Sequence, residues 1–353
     1  MNPYKKLADF NFWSRSISNL YPSMIDPCTK SEIIQSGEKV STLGSCFAQH
    51  ISKRISDSGL NYYVPECAPK DMSMEEAQSK NYGVFSARYG NLYTVRQALQ
   101  LFERAYSIFE PMELVWQDND RFVDPFRPLI EPGGFSQENI LHESRVKHFI
   151  AVREVCEKSD WIVFTLGLTE AWENLKDGSI YPFAPGVSGG VYNPSLYNFV
   201  NFNILETIAD LKALITFIRN KNQTVKFLLT VSPVPLIATY ESQHVLVSTV
   251  YSKSVLRVAC EEIIRSMSNV YYFPSYELIT STAVSGKYFR DDLREVSPLG
   301  VSHVMRVFEK HFIKGVELNR VVDERHIDNS NCSEVGVICD ESIIEKSLHV
   351  IKR

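Results

Sequence analysis

Four short apolar runs, spread along the chain and separated by stretches of helical periodicity, constrain this sequence most. They are KVSTLG (39–44), WIVFTLGL (161–168), VKFLLTVSPV (225–234) and VYYFPSY (270–276). Each is rich in Val, Ile, Phe, Tyr or Thr and reads as a buried strand. Between them, apolar residues recur at helical spacing. Phe47, Ile51 and Ile55 do so within 46–57, and the pattern returns in 94–107, 144–157, 203–219, 247–267 and 298–313. Strands alternating with helices predict an α/β fold, a parallel sheet with helices on both faces. In such sheets functional groups collect beyond the carboxyl ends of the strands.

Two regions interrupt the alternation. Residues 108–143 contain DPFRPLIEPGGF, and residues 174–202 contain DGSIYPFAPGVSGGVYNPSLYNF. Their Pro and Gly content predicts long inserted loops of the lid type, which are frequent binding elements. Residues 1–320 are predicted to form one α/β domain carrying both insertions. Residues 321–353 form a polar, weakly patterned tail, in which VGVICDESII is a candidate edge strand.

The bulk properties narrow the function classes. A net charge of −5 over 353 residues argues against general nucleic-acid binding. No uncharged apolar run is long enough to span a membrane, since FNILETIADLKALITFI carries Glu, Asp and Lys. The opening MNPYKKLADFNFWSRSI lacks the apolar core of a signal peptide. Seven scattered cysteines, odd in number and without a CxxC pair, fit reduced thiols rather than a disulfide framework or a zinc site. The expectation is a cytoplasmic protein with no resident metal or cofactor and no membrane span.

Cys46 follows the first strand and opens a helix. A thiol there faces the positive end of the helix dipole, which favours the thiolate, the nucleophilic form. Backbone N–H groups at the same place suit a developing oxyanion. A small buried residue at a tight turn is the bland alternative.

The surrounding motifs give more. TLGSCFAQHI, NYGVFSARYGNLYTVRQALQLFE, DPFRP, FTLGLTEAWE, LLTVSPVPLIAT, HVLVSTVYSKSVLRVA and YYFPSYELIT run in order over roughly residues 38–313. In these the chain resembles the GSCFA family, which in turn resembles the SGNH hydrolases, flavodoxin-like α/β esterases and acyltransferases. The resemblance implies a flavodoxin-like three-layer sheet and places Cys46, after Gly44-Ser45, where those hydrolases carry a serine. It implies an oxyanion role for Gly90, with Asn91 beside it, where a plain Gly-Asn turn is the alternative. Thr169 stands near an expected Asn donor. Glu170 is a candidate for orienting a base or binding substrate, or else a helix N-terminal carboxylate. Trp172 is a candidate pocket wall. Asp292 and Glu295 occupy the frame of an Asp-x-x-His pair, with Glu295 at the histidine. A carboxylate serves as a base only if its pKa is raised, for example by burial.

Two histidines are candidate substitutes. His244 follows the SPVPL strand end by a short loop and is a base or a capping residue. His303 points away from the stripe of Val301, Val304, Met305 and Phe308, and is expected to be exposed. His50, one turn after Cys46, reads as a surface residue. Arg88, Arg127, Lys253 and Arg257 are candidate anion contacts, Lys253 and Arg257 being one turn apart. Ser252 is a rival nucleophile with no evident partner.

The leading expectation is an acyl-ester hydrolase or acyltransferase with a cysteine nucleophile. Its substrate is a small molecule, a glycan or a glycan precursor, and acyl-coenzyme A is a candidate donor. The competing expectations are a non-catalytic carbohydrate- or partner-binding protein on a hydrolase scaffold, and a structural partner in a biosynthetic complex. The sequence is silent on oligomeric state.

Overall fold

The computed structural model describes residues 2–314, 337 and 340–349. The first part of the chain gives β1 (Lys39–Gly44), α1 (Ala48–Asp57), β2 (Asn61–Tyr62), α2 (Met74–Ser79), α3 (Val95–Ala105), β3 (Trp116–Asp118), β4 (Arg121–Val123) and α4 (Glu138–Lys158). There follow β5 (Trp161–Leu166), β6 (Glu170–Asn174), β7 (Ile180–Tyr181), β8 (Tyr197–Asn201), α5 (Ile204–Lys221), β9 (Lys226–Val231), α6 (Val245–Ser266) and β10 (Val270–Tyr272). The remainder is α7 (Ser275–Thr280), α8 (Pro298–Phe308) and α9 (Ser342–His349). The chain divides into two compact units, one of residues 36–272 with 338–353, the other of residues 1–35 with 273–337.

The four apolar runs form four of the five strands of the larger unit's sheet. Its order is β10-β9-β5-β1-β2, and every pairing is parallel. Read from the β2 edge this is the 2-1-3-4-5 order of flavodoxin-like folds, as the resemblance implies. β1 and β5 are in register from Val40 opposite Trp161 to Gly44 opposite Thr165. Both strands are buried on both faces, which is why they read as continuous apolar runs rather than alternating ones.

Right-handed crossovers put α1 on one face of the sheet and α3 to α6 on the other, because the chain reverses direction at β1. The packing agrees: α5 lies against α3 and α6, and α3 against α4. The reversal leaves a crevice outside the carboxyl ends of β1 and β5.

Short strands run through both predicted insertions. Trp116–Asp118 and Arg121–Val123 pair as a hairpin turned by Asn119 at φ 52°. β6, β7 and β8 make a separate antiparallel sheet in the order β7-β6-β8. The two regions share a core of Trp116, Val123, Phe126, Tyr181 and Tyr197.

The DPFRP stretch carries much of this. Asp124 accepts from the Phe126 amide at 3.1 Å and from Arg127 Nε at 3.1 Å, and pairs with Arg145 Nε at 3.4 Å. Arg127 Nη1 donates to the Arg88 carbonyl, and Arg88 Nη2 to the Ile130 carbonyl. Arg88 and Arg127, weighed as anion contacts, are thus buried and committed to internal partners.

The tail also departs from expectation. Residues 340–344 of VGVICDESII are a turn and the start of α9, not an edge strand. Of the rest of that run, only residue 337 lies within the described residues.

In the smaller unit, Phe273, Phe308 and Phe312 pack ring on ring, and the Ile34 amide donates to the Phe312 carbonyl. His303 is only 1% exposed, against the exposure its helical position predicts. Its Nε2 lies 2.9 Å from the Ile25 carbonyl, which can only accept, so Nε2 carries the proton. Nδ1 then accepts from the Tyr288 hydroxyl at 2.9 Å. The N-terminal segment supplies a second polar face on α8, and helical periodicity alone does not reveal it.

Candidate active site

Gly44 ends β1 at φ +129°, and an added Cβ would sit 2.2 Å from the Thr165 carbonyl oxygen. Only glycine fits. The turn this permits sends Ser45 N–H to the Thr165 carbonyl at 3.1 Å and delivers Cys46 to the start of α1, where its carbonyl accepts from the Gln49 amide. Cys46 is 5% exposed. Ser45 is buried beside it, and its hydroxyl has no hydrogen-bond partner among the described residues.

Two further loops close on this turn. The Leu92 amide donates to the Gly44 carbonyl at 2.9 Å, tying the Gly90–Asn91 segment to the end of β1. Gly90 is left-handed at φ +67°, which the turn requires. After β5, the Gly167 and Leu168 amides both donate to the Tyr93 carbonyl, and a Cβ on Gly167 would meet Ser45 Cβ at 3.0 Å. Residues 44–46, 90–93 and 167–168 therefore lie together where β1 and β5 end.

Asn91 N–H donates to Asp340 Oδ2 at 3.4 Å, and the same oxygen lies 3.8 Å from where a Gly90 Cβ would be. A carboxylate oxygen from the segment before α9 thus occupies the neighbourhood of the candidate oxyanion donors. Asp340 was absent from the sequence reading, since nothing local marks a tail residue for this contact.

The polar residues of the third loop have partners of their own. Thr169 Oγ1 donates to Asn201 Oδ1 at 2.6 Å, and its amide donates to Ser252 Oγ at 3.1 Å. Ser252, the rival nucleophile, is a buried brace for this loop. Lys253 is 1% exposed, and its Nζ donates to the Gly167 carbonyl at 2.6 Å. Its charge is turned inward onto the loop. Arg257 pairs with Glu261 at 3.0 Å and lies over the Tyr272 ring.

Glu170 opens β6 rather than a helix. Its carboxylate accepts from Thr239 Oγ1 at 2.7 Å, and burial raises its pKa, reinforced by the charge of Glu241. Together with Trp172 it lines a cavity of about 310 Å3. Tyr93 and Leu168, from the loops beside Cys46, form part of the same wall. Phe183, Tyr192, Phe199 and Tyr240 also line it, and α9 with its preceding turn contributes Ile344 and Glu341. Trp172 is the centre of the aromatic group, its ring 4.8 Å from Tyr240, 5.4 Å from Tyr192 and 5.9 Å from Phe199. Thr239 and Tyr240 were legible in principle, because they follow the carboxyl end of β9.

The candidate proton carriers are placed less favourably for their expected roles. His244 is exposed and caps α6, its Nδ1 accepting from the Leu246 amide at 3.1 Å. This is the capping alternative of the sequence reading. Asp292 and Glu295 belong to the other unit and are exposed. Asp292 Oδ1 accepts from the Arg294 and Glu295 amides, and Glu295 pairs with Arg290 at 3.5 Å. The burial on which a carboxylate base depends is not there. His50 is half-buried against the Phe47 ring.

Among the described residues no group of three His, Cys, Asp or Glu is arranged to hold a metal, and no helix is long and apolar enough to cross a membrane. Among solved structures, the chain is similar to an acetyl esterase mutant with acetate ion, at 12% identity and a TM-score of 0.33, covering 76% of this chain and 93% of that one. It is also similar to a carbohydrate esterase family 3 from Talaromyces cellulolyticus, at 12% identity and a TM-score of 0.35, covering 77% and 94%. No curated protein matches the chain in sequence at a significant level. The model of the GSCFA family matches residues 39–308, a span that takes in the whole cluster around Cys46, and the chain belongs to the GSCFA family.

Proposed function

We propose that this protein is an acyl-ester hydrolase or acyltransferase in which Cys46 is the nucleophile and a glycan or glycan precursor is the substrate. One observation carries the reading: Cys46 stands at the carboxyl end of β1 and the entrance to α1, beside the crevice where the strand order reverses. The thiolate Sγ attacks the acyl carbonyl carbon, the C–S bond forms, and the ester C–O bond breaks as the departing alcohol takes a proton. Water or a second hydroxyl then attacks the thioester and regenerates the thiol. Backbone amides of Cys46 and Gly90 are the proposed oxyanion donors. A thiol needs a weaker base than a hydroxyl does, and His244 is the proposed proton carrier. The cavity lined by Tyr93 and Leu168 has no Lys, Arg or His on its wall among the described residues, which disfavours the phosphates of acyl-coenzyme A as donor.

The test is acyl trapping. Brief incubation with an activated acetyl ester should leave an acetyl group on the Cys46 peptide, found by mass spectrometry, with exposed Cys67 as the reference thiol. Cys46→Ala should lose the adduct and at least about 10³-fold of any esterase rate. Equal acetylation of Cys67 and Cys46, or full activity in Cys46→Ala, refutes the nucleophile. His244→Gln separates capping from proton transfer: lost capping lowers Tm, whereas a lost base lowers the rate and shifts its pH profile.

The aromatic cavity supports a second reading, a non-catalytic carbohydrate-binding protein. It predicts that glycan binding survives in Cys46→Ala while no acyl adduct forms in the wild type.

A further inference from the structure

The cavity lined by Tyr93 and Leu168 has an electrostatic character that the acyl-transfer reading does not use. Its wall combines aromatic rings with carboxylates. Trp172 meets Tyr192, Phe199 and Tyr240 at interplanar angles of 82°, 66° and 65°. Rings so inclined present faces and edges from several directions instead of one flat platform for a sugar ring. Glu170 and Glu341 are the carboxylates on the same wall, with no Lys, Arg or His among the described lining residues. Glu241 stands close enough to Glu170 to push its pKa up further. Buried Glu170, with Glu241 near it and no cation among the described lining residues, gives the wall a negative group. Aromatic faces add to it, because their quadrupoles attract cations.

We propose that this cavity binds a cationic amine, a protonated or methylated ammonium group carried by the substrate or by a separate ligand. Trp172 and Tyr240 flank the cation, and Glu170 supplies the countercharge. A volume of about 310 Å3 leaves room for the rest of a small molecule beyond the ammonium head. Tyr240 is 64% exposed and Tyr192 41%, so the rim is open to solvent. Glu341 and Ile344 make the segment at α9 part of the wall, so the cavity is complete only with the tail docked. The inference depends on the acyl-transfer reading only for what the bound amine is used for.

The experiment is a calorimetric titration of the intact protein with choline and with its uncharged carbon isostere, in which a tert-butyl group replaces the trimethylammonium. Choline should bind saturably and about ten-fold more tightly than the isostere. Glu170→Gln should erase most of that difference while leaving the isostere unchanged. Tyr240→Leu, at a position 64% exposed, should weaken choline more than the isostere. Equal affinity for the two probes, indifference of choline to both substitutions, or no saturable binding overturns the proposal. The titration gives its answer whether or not Cys46 accepts an acyl group, so the two readings fail separately.

Discussion

Gly44 shows how a single residue fixes the geometry around Cys46. Its left-handed φ and the 2.2 Å clash that any Cβ would make with the Thr165 carbonyl arise where the last residue of β1 pairs with Thr165 of β5. Gly44→Ala must either move β5 or abandon the turn. It should cost about 3 kcal/mol or more of stability, visible as a lower urea midpoint, and should disturb Cys46 even where the protein still folds. At this scale the sequence was informative. Gly-Ser-Cys between a strand run and a helix pattern locates the turn without any knowledge of its partner. What stayed hidden was the partners' identity, such as the Lys253 ammonium on the Gly167 carbonyl, because a lysine at helical spacing reads equally well as a solvated face or an anion contact.

At the scale of elements, the long insertions carry the largest correction. Their Pro and Gly content reads as loops, and the first of them carries Asp124 and Arg127, which join Arg145 of α4 in a buried ion cluster. Burial opposes the charged form of Asp124, yet the guanidinium groups of Arg145, Arg127 and Arg104 (in α3) hold its carboxyl well below the usual carboxylate range. Asp124→Asn leaves those guanidinium groups uncompensated and should cost about 3–5 kcal/mol in urea unfolding. A double variant, Asp124→Leu with Arg127→Met, should recover part of that loss, since it leaves one fewer buried guanidinium without its carboxylate. Helices and strands with strong periodicity were placed correctly because their burial is one-dimensional information. The ion cluster was not, because it joins residues from three separate elements.

For the whole molecule, two buried histidines set the acid response. Burial lowers His303 to about 4, and His148, deep in the other unit and bonded to Glu66 at 2.8 Å, to about 4 as well. An unfolded histidine titrates near 6.5. The unfolded chain therefore takes up these protons first. The stability they confer is complete above pH ~6.5 and is lost as pH falls towards ~4, with no further loss from them below that. For His303 alone the shift corresponds to about 3 kcal/mol. Urea midpoints between pH 7 and pH 4 should fall steeply for the wild type and less steeply for His303→Gln.

The sequence by itself determined the parallel α/β sheet, the order in which its strands arrive, and the turn that presents Cys46. These depend on periodicity, β-branched runs and one obligatory glycine, all of which are local. The tertiary structure alone decided that His303 is buried and Glu295 is not. It also decided that Lys253 faces inward, and that Asp340 and Glu341 come from the tail to the Gly90 segment and the aromatic cavity. Each of these depends on which distant surface covers a residue, and a one-dimensional pattern records only that a face is apolar or polar, never what lies against it.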